Sequence, residues 1–97
     1  MGSAIETRLV RVRGRVQGVG YRYACVRQAR ELGLTGWVRN RMDDSVEALL
    51  QGPPEVVASM CDWMADGVES ALVERMEVSE VEAPFPRFET FDQLPTE

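Results

Sequence analysis

From Thr7 to Arg13 apolar and charged residues alternate, with Leu9 set against Val10 and Val12 and arginines at 8, 11 and 13. That period of two predicts a strand. From Tyr21 the spacing lengthens, and Tyr21, Cys25, Ala29 and Leu32 fall on one face of a helix with Ala24 and Val26 beside it. Gly33 stands where a helix ends in a left-handed residue, and Leu34 can fold back on the last turn, so the first helix is expected over 21–32. Alternation returns at Gly36–Arg41 and again at Ser45–Gln51, with Met42-Asp43-Asp44 as the hairpin turn between them. Gly52-Pro53-Pro54-Glu55 is a helix start, and Val56, Met60, Trp63 and Met64 recur at helical spacing until Gly67. That Met and Trp stripe reads as core packing and not as a cofactor contact. Leu72, Glu74, Met76 and Val78 form one face of a fourth strand. Ala83-Pro84-Phe85-Pro86 then breaks the pattern, and Phe88–Phe91 is the candidate for a short fifth strand at an edge.

The order β-α-β-β-α-β, with right-handed crossovers, predicts an α+β fold. It is a ferredoxin-like alpha/beta sandwich, one mostly antiparallel sheet with two helices on one face. Ninety-seven residues suffice for one two-layer core and not for two. A single domain over 1–97 is therefore expected, with about 1–5 and 93–97 as loose termini. Composition adds little, since 44% hydrophobic and 28% charged is ordinary for a globular protein. No apolar run approaches the ~20 residues that span a bilayer. The start Met1-Gly2-Ser3-Ala4-Ile5-Glu6 lacks the basic and apolar regions of an export signal. A cytoplasmic protein with no membrane partner is expected, and in that compartment Cys25 and Cys61 are read as reduced, buried thiols.

Charge changes the picture more. The net charge of −5 hides an asymmetry: nine arginines lie in the first 41 residues against Glu6 and Glu31 alone, giving +7 there and −12 in the rest. A basic end on an acidic chain can focus a small anion, bind nucleic acid, or be no more than a solvated face.

The candidate chemistry sits between the first strand and the first helix, at Gly14-Arg15-Val16-Gln17-Gly18-Val19-Gly20-Tyr21-Arg22. Glycines let the backbone take φ > 0, so successive N–H groups can turn inward as an anion-binding nest. The helix that follows presents its unpaired N–H groups to the same spot, and Arg22 adds a fork suited to phosphate or carboxylate. Taken alone, the loop is equally a strand–helix turn with no ligand. Several chemistries can be set aside. The chain has no lysine for a Walker loop, and Gly14, Gly18 and Gly20 do not fit the dinucleotide spacing. It has no histidine, and six residues beyond Cys25 and Cys61 stand Glu31 and Gly67, not the arginine of a cysteine phosphatase. On its strand Asn40 shares a face with Val38, opposite Trp37 and Arg39. A polar residue among apolar neighbours is either a site residue or a structural amide held by backbone.

Together, Gly14-x-Val16-Gln17-Gly18-Val19-x-Tyr21-Arg22 and Gly36-Trp37-Val38-x-Asn40-x-x-Asp43-x-Ser45-Val46-Glu47 closely resemble the two signatures of the acylphosphatase family. The resemblance covers nearly the whole chain, including Ser59-Met60 and Trp63. It implies an alpha/beta sandwich that hydrolyses acyl phosphates to a carboxylate and inorganic phosphate, with no metal and no organic cofactor. Carried over by position, the N–H groups of Gln17, Gly18, Val19, Gly20 and Tyr21 and the Arg22 guanidinium would hold the phosphate. Arg22 and Asn40 would be the catalytic pair, Asn40 orienting the attacking water. A monomer without a nucleic-acid partner is expected.

Two departures stand out. The family's usual Asp-Gly turn reads Asp43-Asp44 here, so Asp44 is expected in a left-handed conformation, and the C-terminal residues from Thr90 onward depart from the family pattern. The competing expectation is a non-catalytic module that binds RNA or a small anion on the same sheet. RNA binding there needs exposed aromatics on the central strands; Ser45-Val46-Glu47-Ala48-Leu49-Leu50 has none, and Glu47 would repel phosphate.

Overall fold

The alternation at Thr7–Arg13 lies within strand β1, Glu6–Arg15, and the helical spacing from Tyr21 becomes helix α1, Tyr21–Glu31. The hairpin follows as β2, Thr35–Asn40, and β3, Val46–Gly52. Then come α2, Pro54–Asp66, β4, Leu72–Glu80, and β5, Phe91–Gln93. The computed structural model describes residues 4–97, so the first three residues of the expected loose N-terminus lie outside the described residues. The sheet order is β4-β1-β3-β2-β5, with the first four strands antiparallel and β5 parallel to β2. This is the ferredoxin-like order with one strand added at the β2 edge.

Strand parity decides which face is core. Val10, Val12, Val38, Val46, Ala48 and Leu50 point to the helices and are fully buried. They meet Tyr21, Cys25 and Ala29 from α1 and Val57, Met60 and Met64 from α2. Each large apolar side chain buried in this way contributes about 1.5–3 kcal/mol. The other parity leaves Arg11, Arg39 and Glu47 on the open face. Helix α1 closes as expected: Leu34 N–H donates to Ala29 O at 2.9 Å around Gly33 at φ 74°. Among the described residues no helix is long and apolar enough to cross a membrane.

Three details differ from expectation. The fifth strand is Phe91–Gln93 and not Phe88–Phe91. Phe91 is driven into the core at 1% exposure, whereas Phe88 N–H is taken by the Gln51 side-chain oxygen at 2.9 Å. Nor is the segment 93–97 loose. Gln93 pairs with Val38, Leu94 N–H donates to Val38 O, Glu97 N–H to Asn40 O, and Met42 N–H to Glu97 O. Finally, β4 carries a bulge: Arg13 pairs with Arg75 but Gly14 with Val73, so Glu74 is an extra residue. Beyond it the faces invert, and Val73 packs against the core while Leu72 is 57% exposed.

Candidate active site

Strands β1 and β2 both run antiparallel to β3, so the loop after β1 and the turn after β2 leave the sheet at the same end. Val46 of β3 pairs with Val12 on one side and Asn40 on the other. Asn40 therefore lies two strand spacings, ~10 Å, from the stem of the glycine loop.

The loop is held open by its own anchors. Val16 and Tyr21 are buried to 1% exposure at either side of it. The Tyr21 hydroxyl donates to Met64 O at 2.7 Å, and burial pushes its pKa up, keeping it a donor. Between these anchors Gly18 has φ 75° and Gly20 φ 80°, conformations that cost a side-chain-bearing residue ~1–2 kcal/mol. Gly20 caps α1 with no side chain of its own. Ser70 Oγ donates to Val19 O at 2.8 Å. Because C=O and N–H of one peptide point opposite ways, that bond turns the Gly20 N–H away from Ser70. Among the described residues none of the N–H groups from Gln17 to Tyr21 donates to a backbone acceptor in the loop or its surroundings. The first turn of α1 holds no acidic residue, so the positive end of its dipole is not offset.

A cavity of about 120 Å³ opens here, lined by Val16, Gly18, Gly20, Tyr21, Arg22, Tyr23 and Gln93. That is well below the ~300 Å³ at which sites for drug-sized ligands begin, and it suits a small oxyanion. Larger depressions exist, one of about 370 Å³ beside β5 and one of about 220 Å³ on the open sheet face, but the loop lines neither.

Ion pairs account for most of the basic asymmetry. Of the nine N-terminal arginines, Arg8, Arg11, Arg13, Arg30, Arg39 and Arg41 pair with carboxylates. Arg15 and Arg22, at the two ends of the loop, and Arg27, further along α1, have no ion pair among the described residues. On the open face Glu47 has a side chain only 6% exposed and receives Arg11 at 2.9 Å, Arg39 at 3.0 Å and Arg41 at 3.6 Å. Burial alone would raise its pKa; the hydrogen bonds from Arg11 and Arg39 and the charge of Arg41 outweigh that and hold it below the usual carboxylate range.

Asn40 is the last residue of β2 and only 9% exposed. Its backbone carbonyl is taken by Glu97 N–H, yet its side-chain Oδ1 is buried with no protein donor. The turn beyond it is tightly made. Asp43 Oδ1 accepts from Ser45 N–H at 3.1 Å and Ser45 Oγ at 2.6 Å, bonds that pull the carboxyl down to about 2. Asp44 adopts φ 74°, as the missing glycine requires. From the loop, Gln17 Nε2 donates to Arg41 O and Ser45 O, both at 2.9 Å. The glycine loop and the asparagine hairpin are thus bolted together.

Residues 8–92 match the acylphosphatase family. The chain belongs to that family. It is 69% identical over 94 residues to "Acylphosphatase 1" of Ralstonia nicotianae, covering 97% of this chain and 92% of that one. It is 59% identical over 87 residues to an acylphosphatase of Polaromonas naphthalenivorans, covering 90% and 86%. Among solved structures it superposes on an acylphosphatase from Bacillus subtilis with a TM-score of 0.85 at 33% identity, over 94% of this chain and 99% of that one.

In this member of the acylphosphatase family Gly18, Gly20, Tyr21 and Arg22 line the cavity, whereas Gln17 and Val19 belong to the same loop without lining it and Asn40 lies on the adjoining hairpin. The sequence did not point to Ser70 or Gln93. Ser70 sits in an unpatterned connection, and Gln93 reaches the cavity only through the parallel pairing of β5 with Val38. Both cysteines are free and buried. Burial pushes the Cys25 thiol up to about 12 and raises that of Cys61, so neither supplies a thiolate nucleophile.

Proposed function

We propose that this chain hydrolyses acyl phosphates at the Gly14–Arg22 loop, with Asn40 holding the attacking water. The observation that carries the proposal is the buried Asn40 Oδ1, an acceptor without a protein donor, beside a loop of unpaired N–H groups. An acceptor left in that state costs about 1–3 kcal/mol, and a water donating to it removes the cost. The N–H groups of Gln17, Gly18, Val19, Gly20 and Tyr21, with the Arg22 guanidinium, hold the phosphoryl oxygens and stabilise charge there in the transition state. Water attacks phosphorus opposite the acyl oxygen. The new P–O bond forms as the P–O bond to the acyl group breaks, and the electron pair leaves on the carboxylate. The water proton passes to a phosphate oxygen. Because the leaving carboxylate has a conjugate acid of pKa about 4, no general acid is required, which agrees with a chain that has no histidine.

The cavity accommodates the phosphoryl group and leaves the acyl chain outside it, so recognition is directed at the phosphate. The paired arginines of the open sheet face leave little free positive charge for nucleic acid there. We take the protein to act as a monomer, and its unpaired thiols fit a cytoplasmic compartment. Phosphate release from acetyl phosphate, with chelator present, tests the proposal against a phosphate monoester and ATP. Only the acyl compound should turn over well. Arg22→Ala should lower kcat/KM by about 10²-fold or more, and Asn40→Ala should lower kcat with little change in KM. Wild-type kinetics in both variants would overturn the assignment.

A further inference from the structure

The two halves of the site are braced in different ways. The phosphate loop has its own anchors in buried Val16, in Tyr21 on Met64 O and in Ser70 on Val19 O, none of which involves the hairpin. The hairpin turn is closed by Arg41 N–H on Ser45 O at 2.8 Å and by Asp43 on Ser45, none of which involves the loop. One side chain spans the gap. Both protons of the Gln17 amide are used, one on Arg41 O and one on Ser45 O, the carbonyls of the closing pair of the turn that begins right after Asn40. No other side-chain hydrogen bond among the described residues links loop 16–20 to turn 41–45.

We infer that the Gln17 side chain is a positioning residue, setting the separation between the phosphate cradle and the water that Asn40 holds. This rests on the site assignment above and adds to it a role for the amide distinct from the Gln17 backbone N–H. In-line displacement requires the water on the phosphorus axis opposite the leaving oxygen, and a shift of about 1 Å can cost about 10²-fold in rate. Without the amide, each half keeps its own shape while their relative placement relaxes. Turnover then falls while affinity for phosphate itself is retained.

Gln17→Met keeps the length and removes both donors. Its kcat on acetyl phosphate should fall about tenfold to a hundredfold, while the inhibition constant for inorganic phosphate stays within about twofold of wild type. Unchanged kcat would overturn the inference. So would a phosphate inhibition constant that rises in step with the loss of kcat, because the amide would then be shaping the cradle itself. Gln17→Glu provides a second readout should the methionine variant fail to fold. At neutral pH its carboxylate faces two carbonyls with no proton to give, whereas below about pH 5 the protonated carboxyl regains one donor. The ratio of its kcat to that of wild type should rise as the pH is lowered, and a flat ratio would count against the inference. Failure of the site assignment is seen separately, as undiminished turnover in Arg22→Ala.

Discussion

Asp44 holds φ 74° at the tip of the β2–β3 turn, a conformation glycine adopts without steric cost. Its side chain is exposed, so nothing in packing offsets that strain. Asp44→Gly should therefore stabilise the protein by up to about 1 kcal/mol, raising Tm by about 4–8 °C per kcal/mol in a domain of this size. Activity should not fall, because Asn40 and Gln17 are untouched. A thermal melt with an unchanged or lower Tm would contradict the strain. At this scale the left-handed Asp44 was legible beforehand from turn chemistry, while the roles proposed for Arg22 and Asn40 rest on the two motifs. The second role of Gln17 was not legible. Its amide partners lie 24 and 28 residues away in sequence, and spacing along the chain carries no information about a contact that only the strand order creates.

The β2–β3 hairpin is the element most dependent on ionised carboxylates. Asp43 clamps its turn and Glu47 gathers three arginines on its open face. Both groups have folded-state pKa values below their unfolded ones, Asp43 at about 2. Their contribution is complete above the unfolded values near 4 and is lost as pH falls through the folded ones. Stability should thus be level from pH 7 down to about 5 and drop between about 4 and 2. Asp43→Asn should be less stable at neutral pH and show a shallower acid limb in urea titrations; an unchanged acid limb would place the dependence elsewhere. Element order and helix limits could be read from periodicity, since each is a local property. The misplaced β5 and the inverted end of β4 could not. A one-residue shift exchanges every side chain between faces, and in both cases a long-range demand decided the register: the core taking Phe91, and Gly14 meeting Val73.

Across the whole molecule, six of the nine arginines of the basic first half are paired with carboxylates, five of them with carboxylates of the acidic second half. Among the three that remain unpaired, Arg22 lines the small cavity at the glycine loop, where a fixed positive charge attracts an anion.

The choice of cation has a chemical consequence. An acyl phosphate is an acylating agent: an amine that attacks its carbonyl forms an amide and expels phosphate. This chain contains no lysine, the cation lining its loop cavity is the guanidinium of Arg22, and its thiols are buried with raised pKa values. The protein that handles the reactive compound thus offers it no side-chain amine and no ready thiolate. Prolonged incubation with acetyl phosphate should leave the side chains unmodified by peptide mass analysis, and adducts on Cys25 or Cys61 would refute this. Arg22→Lys should acquire an acyl group at position 22, turning a hydrolase into a protein that labels itself.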